Sequence, residues 1–123
     1  MQICFVSKVS TDQLDAYRQA HANVWPEMLE ALRDTGWHGY RLYLGADGLL
    51  VGVVEVDSYE QAQTRMAALP VNAKWQSAMA ELFESDGNPD EGMVLLDEIF
   101  NLDNQLAALG LPTTDQAPGA PDF

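Results

Sequence analysis

Basic residues are scarce in this chain of 123 residues. Six lysines and arginines stand against 19 acids, for a net charge of −13. Binding to nucleic acid draws on lysine and arginine contacts to phosphate, so this balance argues against that partner. It argues equally against docking on an anionic membrane surface. All six basic residues precede residue 75, and ten of the acids follow it. The simplest reading of that asymmetry is a solvated acidic surface that aids solubility. Cysteine is nearly absent. Cys4 stands alone, so no internal disulfide can form, and it reads as a small core residue of the first strand. Two histidines and one cysteine match no zinc-site spacing, so no metal is expected. No apolar run approaches the ~18 residues of a membrane span. Met1-Gln2-Ile3-Cys4-Phe5 lacks the basic start of a signal peptide, which favours the cytoplasm. There is no glycine-rich phosphate loop and no Gly-x-Ser-x-Gly elbow.

What the chain does have is a globular composition, 47% hydrophobic, at a length that suits one domain with one sizeable core. Residues 2–9 read as a strand. Ser10-Thr11-Asp12-Gln13 has the form of a capping box opening a helix to about Asn23. Pro26 breaks that helix and suits the first position of the next, which Gly36 ends. Trp37 to Leu44 and Leu49 to Val56 read as two strands joined by the turn residues Gly45-Ala46-Asp47-Gly48. Ser58-Tyr59-Glu60-Gln61 is a second capping box, opening a helix to about Leu69. Pro70 interrupts it, and a further helix runs from about Asn72 to Phe83. Ser85 to Asp90 reads as a loop and Met93 to Leu102 as a fourth strand.

The order is β-α-β-β-α-β, an α+β, ferredoxin-like arrangement with its helices on one face of the sheet. The third strand, Leu-Leu-Val-Gly-Val-Val-Glu-Val, is nevertheless apolar on both faces. A chain this short has no spare layer to cover the second face, so a two-fold homodimer, a dimeric α+β barrel, is expected. The domain spans residues 1–103. Residues 104–123, with Pro112, Pro118, Gly119 and Pro121, read as a mobile tail with one helical turn at Gln105–Leu109.

Chemistry is concentrated in Tyr17-x3-His21-x3-Trp25-Pro26-Glu27. Spacings of four put Tyr17, His21 and Trp25 on one helical face. Leu14, Val24, Met28, Leu29 and Leu32 continue that stripe, so the face points inward. Histidine titrates near neutrality and suits proton transfer; a core histidine bonded to backbone is the plainer reading. His38 and Tyr40 stand two apart on strand 2 and so share a face, with Arg41 and Tyr43 opposite. Trp75 shares its helix with Met79, and an indole there serves either a core or a sugar face.

The motif from Tyr17 to Glu27, the strand around His38-Gly39-Tyr40, Trp75, and the Asn88-Pro89 loop together resemble the L-rhamnose mutarotase family over about residues 3–102. The resemblance implies a proton donor at His21. It implies sugar-binding positions at Tyr17, Tyr40, Trp75 and the following residue, normally a second Trp and here Gln76. That departure bears on sugar identity more than on reaction type. The implied reaction interconverts the α and β anomers of L-rhamnose or a related L-sugar, through acid/base ring opening that needs no cofactor. His38 or a water could supply the partner base. The same barrel would also suit a haem-degrading or cofactor-free monooxygenase with His21 as ligand or base, and a non-catalytic sugar-binding module is a third reading.

Overall fold

The structure, a computed structural model, describes residues 1–83 and 93–115. Its strands are β1 (Gln2–Lys8), β2 (His38–Leu44), β3 (Leu49–Glu55) and β4 (Val94–Leu96). Its helices are α1 (Leu14–Ala22), α2 (Pro26–Asp34), α3 (Tyr59–Ala67), α4 (Pro70–Met79) and α5 (Leu102–Ala108). The strands form one antiparallel sheet in the order β2-β3-β1-β4. This is the expected ferredoxin-like α+β fold.

Local chemistry accounts for most boundaries. Pro26 and Pro70 occupy the first turns of α2 and α4, where a missing N–H costs nothing. Gly36 follows α2 at a φ of 101°, a left-handed conformation that releases the chain into β2. The Ser58 hydroxyl caps α3 by accepting from Gln61 N at 3.3 Å. The β2–β3 hairpin closes through Gly48 N to Gly45 O at 3.0 Å, with Asp47 Oδ1 accepting from Leu49 N at 3.1 Å.

Five expectations need correction. Ser10 makes no side-chain cap: Gln13 N bonds the Ser10 carbonyl at 2.9 Å, closing a 3-10 turn over Thr11–Gln13, and α1 begins only after it. Leu29 is about half exposed, on the outer side of α2, rather than part of the inward stripe. The fourth strand is three residues long, not ten. Its register sets Val94 against Val6 and Leu96 against Cys4, and among the described residues the ladder ends there, two residues short of the start of β1 at Gln2. Cys4 is only half-buried, because strand alternation gives the helix-covered side to its neighbour Phe5. The turn expected at Gln105–Leu109 is a longer helix, α5, capped by Asn101 Oδ1 from Asn104 N at 3.0 Å. The Ser85–Asp90 loop, Asn88-Pro89, Pro118, Gly119 and Pro121 lie outside the described residues.

The covered face of the sheet presents Phe5, Leu50 and Val54, all buried. Above it, α2 and α4 pack through Met28, Ala31, Trp75 and Met79. Gly52 pairs with Phe5, and a Cβ built there would fall 2.2 Å from the Phe5 ring. The far edge of the ring fills the space that a side chain would take. Gly52→Ala should therefore destabilise the fold by about 1–3 kcal/mol, the usual cost of overpacking. Urea unfolding measures this, and an unchanged midpoint would show that the ring moves freely.

Candidate active site

Between the covered face and the helices lies a cavity of about 380 Å³. That is ample for a monosaccharide in a site of the usual size. Tyr17, His21, Tyr40, Trp75 and Gln76 all line it. They arrive from three elements, α1, β2 and α4, so the cavity is where separate stretches of chain converge.

α1 supplies an aromatic pair. Tyr17 and His21 stack one turn apart, with ring centroids 4.2 Å apart and 26° between planes. His21 Nδ1–H donates to the Tyr17 carbonyl at 3.0 Å. A carbonyl can only accept, so Nδ1 carries a proton and Nε2 is the nitrogen left for chemistry. Trp75 meets the imidazole edge-on at 5.4 Å, and Phe83 meets Tyr17 edge-on at 5.6 Å. These rings hold the imidazole in one orientation. Burial lowers the His21 pKa, and the bond to the Tyr17 carbonyl opposes that in part. Burial also pushes the Tyr17 phenol well up, so it stays protonated at neutral pH.

α1 ends at Ala22, so Trp25 is not on its face. It stands at the start of α2, more than a third exposed, and meets Trp75 edge-on at 5.0 Å. Trp25 thus buttresses the site from behind Trp75 and does not line the cavity.

His38 does not share a face with Tyr40. The β2–β3 register shifts by one residue between His38, opposite Glu55, and Arg41, opposite Val53. Gly39, at a φ of +58°, takes up the irregularity. The extra residue carries His38 out of step with Tyr40; it is exposed and lines no part of the cavity. A partner base at His38 is thereby removed.

Two residues were missed. Asn72, 6% exposed, lines the cavity and accepts at Oδ1 from Gln76 Nε2 at 3.3 Å. The spacing 72, 75, 76, 79 is one helical stripe and could have revealed it. Trp37, read only as the opening of strand 2, also lines the cavity, packed against Tyr40 and Tyr59. Its Nε1–H is buried without a hydrogen-bond partner among the described residues. Also among the described residues, no three His, Cys, Asp or Glu side chains gather to hold a metal ion. No described helix is long and apolar enough to cross a membrane.

Comparison with known proteins settles the kinship. A family model described as L-rhamnose mutarotase matches residues 2–102. The chain belongs to the L-rhamnose mutarotase family. It is 37% identical over 102 residues to the L-rhamnose mutarotase of Enterobacter sp. (strain 638), covering 80% of this chain and 95% of that one. It is 33% identical over 96 residues to the L-rhamnose mutarotase of Bacillus subtilis (strain 168), covering 77% of this chain and 91% of the relative. The crystal structure of L-rhamnose mutarotase from Formosa agariphila superposes with a TM-score of 0.67 at 26% identity, covering 82% of this chain and 97% of that one. A putative antibiotic biosynthesis monooxygenase from Nitrosomonas europaea superposes with a TM-score of 0.55 at 16% identity, over 81% of this chain and all of that one. That likeness shows a shared fold alone, so the monooxygenase alternative gains nothing beyond the barrel. The cavity carries a polar pair, Asn72 and Gln76.

Proposed function

We propose that this isomerase interconverts the α and β anomers of L-rhamnose or a closely related L-sugar, with His21 as the proton donor. The observation that carries the reading is the His21 imidazole, fixed through Nδ1 and held by aromatic rings on a monosaccharide-sized cavity. Ring opening puts a proton on the ring oxygen and takes one from the anomeric hydroxyl. His21 Nε2–H supplies the first. On closure the same nitrogen recovers it from the C5 hydroxyl as that oxygen attacks the aldehyde, on either face. A water takes and returns the anomeric proton. Tyr17 and Tyr40 orient hydroxyls, and Trp75 lines the C–H side of the sugar. No step needs a cofactor. NMR exchange spectroscopy of L-rhamnose anomers, with and without the protein, tests the reaction. A non-catalytic binding module would leave the exchange rate unchanged at saturating protein.

The reading includes a homodimer, formed by the uncovered face of the sheet. Register places Tyr43, Val51, Val6 and Val94 in one row across that face, and Arg41, Val53, Cys4 and Leu96 in the next. Tyr43, Val94 and Leu96 are each about half exposed in the single chain, a poor arrangement for a sheet left in water. A second copy packed sheet to sheet would cover them, with more than roughly 1,200 Å² buried in total. Light scattering at micromolar concentration should give twice the chain mass, and Val51→Asp should give one. A wild-type monomer contradicts the interface. A free monosaccharide as substrate and a single cysteine suit the reducing cytoplasm. The working domain in this reading is residues 1–103, with 104–123 as an appended tail.

A further inference from the structure

We propose that Asn72 and Gln76 act together as a hydroxyl-recognition pair that selects a pyranose bearing an oxygen at carbon 6. The inference rests on the mutarotase reading and deepens it. The pair lies on one stripe of α4 with Trp75 and Met79, in a cavity whose lining is otherwise mostly apolar. The Asn72 side chain is nine-tenths buried, and its one side-chain hydrogen bond among the described residues is the one from Gln76 Nε2. That bond uses Asn72 Oδ1 and one Gln76 hydrogen. Both Asn72 Nδ2 hydrogens, Gln76 Oε1 and the second Gln76 hydrogen remain. Polar atoms left over beside a binding cavity are completed by a ligand, or by a water that it displaces.

A hydroxyl fits this remainder. It can accept from Asn72 Nδ2 while donating to Gln76 Oε1, and a methyl group can do neither. Position on the sugar follows from His21. The ring oxygen that takes the His21 proton is bonded only to C1 and C5, and C5 carries the exocyclic carbon. Gln76 follows Trp75, whose indole contacts the His21 ring. The proposal sets the exocyclic substituent, on the side away from C1, against the α4 stripe. L-mannose has a CH₂OH there, and L-rhamnose has a methyl group. A site built to pair a hydroxyl discriminates against the analogue lacking it far more sharply than an apolar pocket does.

The test measures kcat/KM for anomer exchange of L-mannose and of L-rhamnose by saturation-transfer NMR, in the wild type, Asn72→Leu and Gln76→Met. Each substitution keeps volume and removes the amide, and Gln76→Met, at a half-buried position, guards against a failure of Asn72→Leu to fold. The expected result is a fall of about tenfold or more in the ratio of L-mannose to L-rhamnose in either variant. An unchanged ratio, with both sugars still exchanged by the wild type, overturns the pair and leaves the mutarotase reading standing. Wild-type exchange of neither sugar overturns both.

Discussion

His21→Ala is expected to slow enzyme-dependent anomer exchange by about two orders of magnitude or more while the chain still folds. General acid–base catalysis by a positioned side chain is worth roughly 10²–10⁴-fold, and the substitution removes the whole of it. The fold should survive because His21 is only half-buried and the surrounding core keeps Tyr17, Trp75 and Phe83. The pH dependence carries the sign of the role. Burial holds His21 below the ordinary histidine value, so its imidazolium form is a minority at neutrality but a stronger acid than a free imidazolium. A donor at the ring oxygen therefore works better as the pH falls from about 8 to about 6, once the uncatalysed rate is subtracted. Exchange that instead rises with pH and levels off would make His21 the base for the anomeric hydroxyl. Stability runs the opposite way. The unfolded chain binds the proton more tightly, so the His21 contribution is complete above the ordinary histidine value and fades as the pH drops through the lower folded one. Wild-type exchange rates in the folded His21→Ala protein would remove His21 from the mechanism.

Trp75→Ala should have the largest effect on the molecule as a whole. Trp75 is buried at the centre of the α2–α4 contact, and its indole meets both His21 and Trp25 edge-on. Deleting a buried indole costs about 3–5 kcal/mol, a large part of the stability of a domain this size. Urea unfolding should show a correspondingly lower midpoint. Trp75→Phe separates packing from binding. A phenyl ring retains much of the burial but offers a smaller face to sugar C–H groups, so the KM for exchange should rise more than the midpoint falls. A KM that tracks stability alone would make Trp75 a core residue only.

The pairing of Tyr17 with His21 was legible because both lie on one short helix, where spacing alone dictates proximity. Tyr40 was reached only through the family resemblance, and it does line the cavity. His38 was not legible. Alternation carries it to the cavity side only if β2 is regular, and the shift at Gly39 is a property of the pairing with β3 rather than of β2 itself. The uncovered apolar face could be anticipated from strand 3, but the rows it shares with Cys4 and Val94 needed the register of three strands.

From the sequence alone came the element order, the proline and glycine boundaries of the helices, the Ser58 cap and the residues able to move a proton. These depend on contacts within about one turn of helix or one hairpin, where local geometry leaves few alternatives. The tertiary structure decided where Trp25 comes to rest against Trp75, how short the β1–β4 ladder is, and that Asn72 and Gln76 share a cavity with His21. Each of those is a meeting of residues far apart in the chain. Such meetings are set by which surfaces pack best against one another, and no local propensity records that choice.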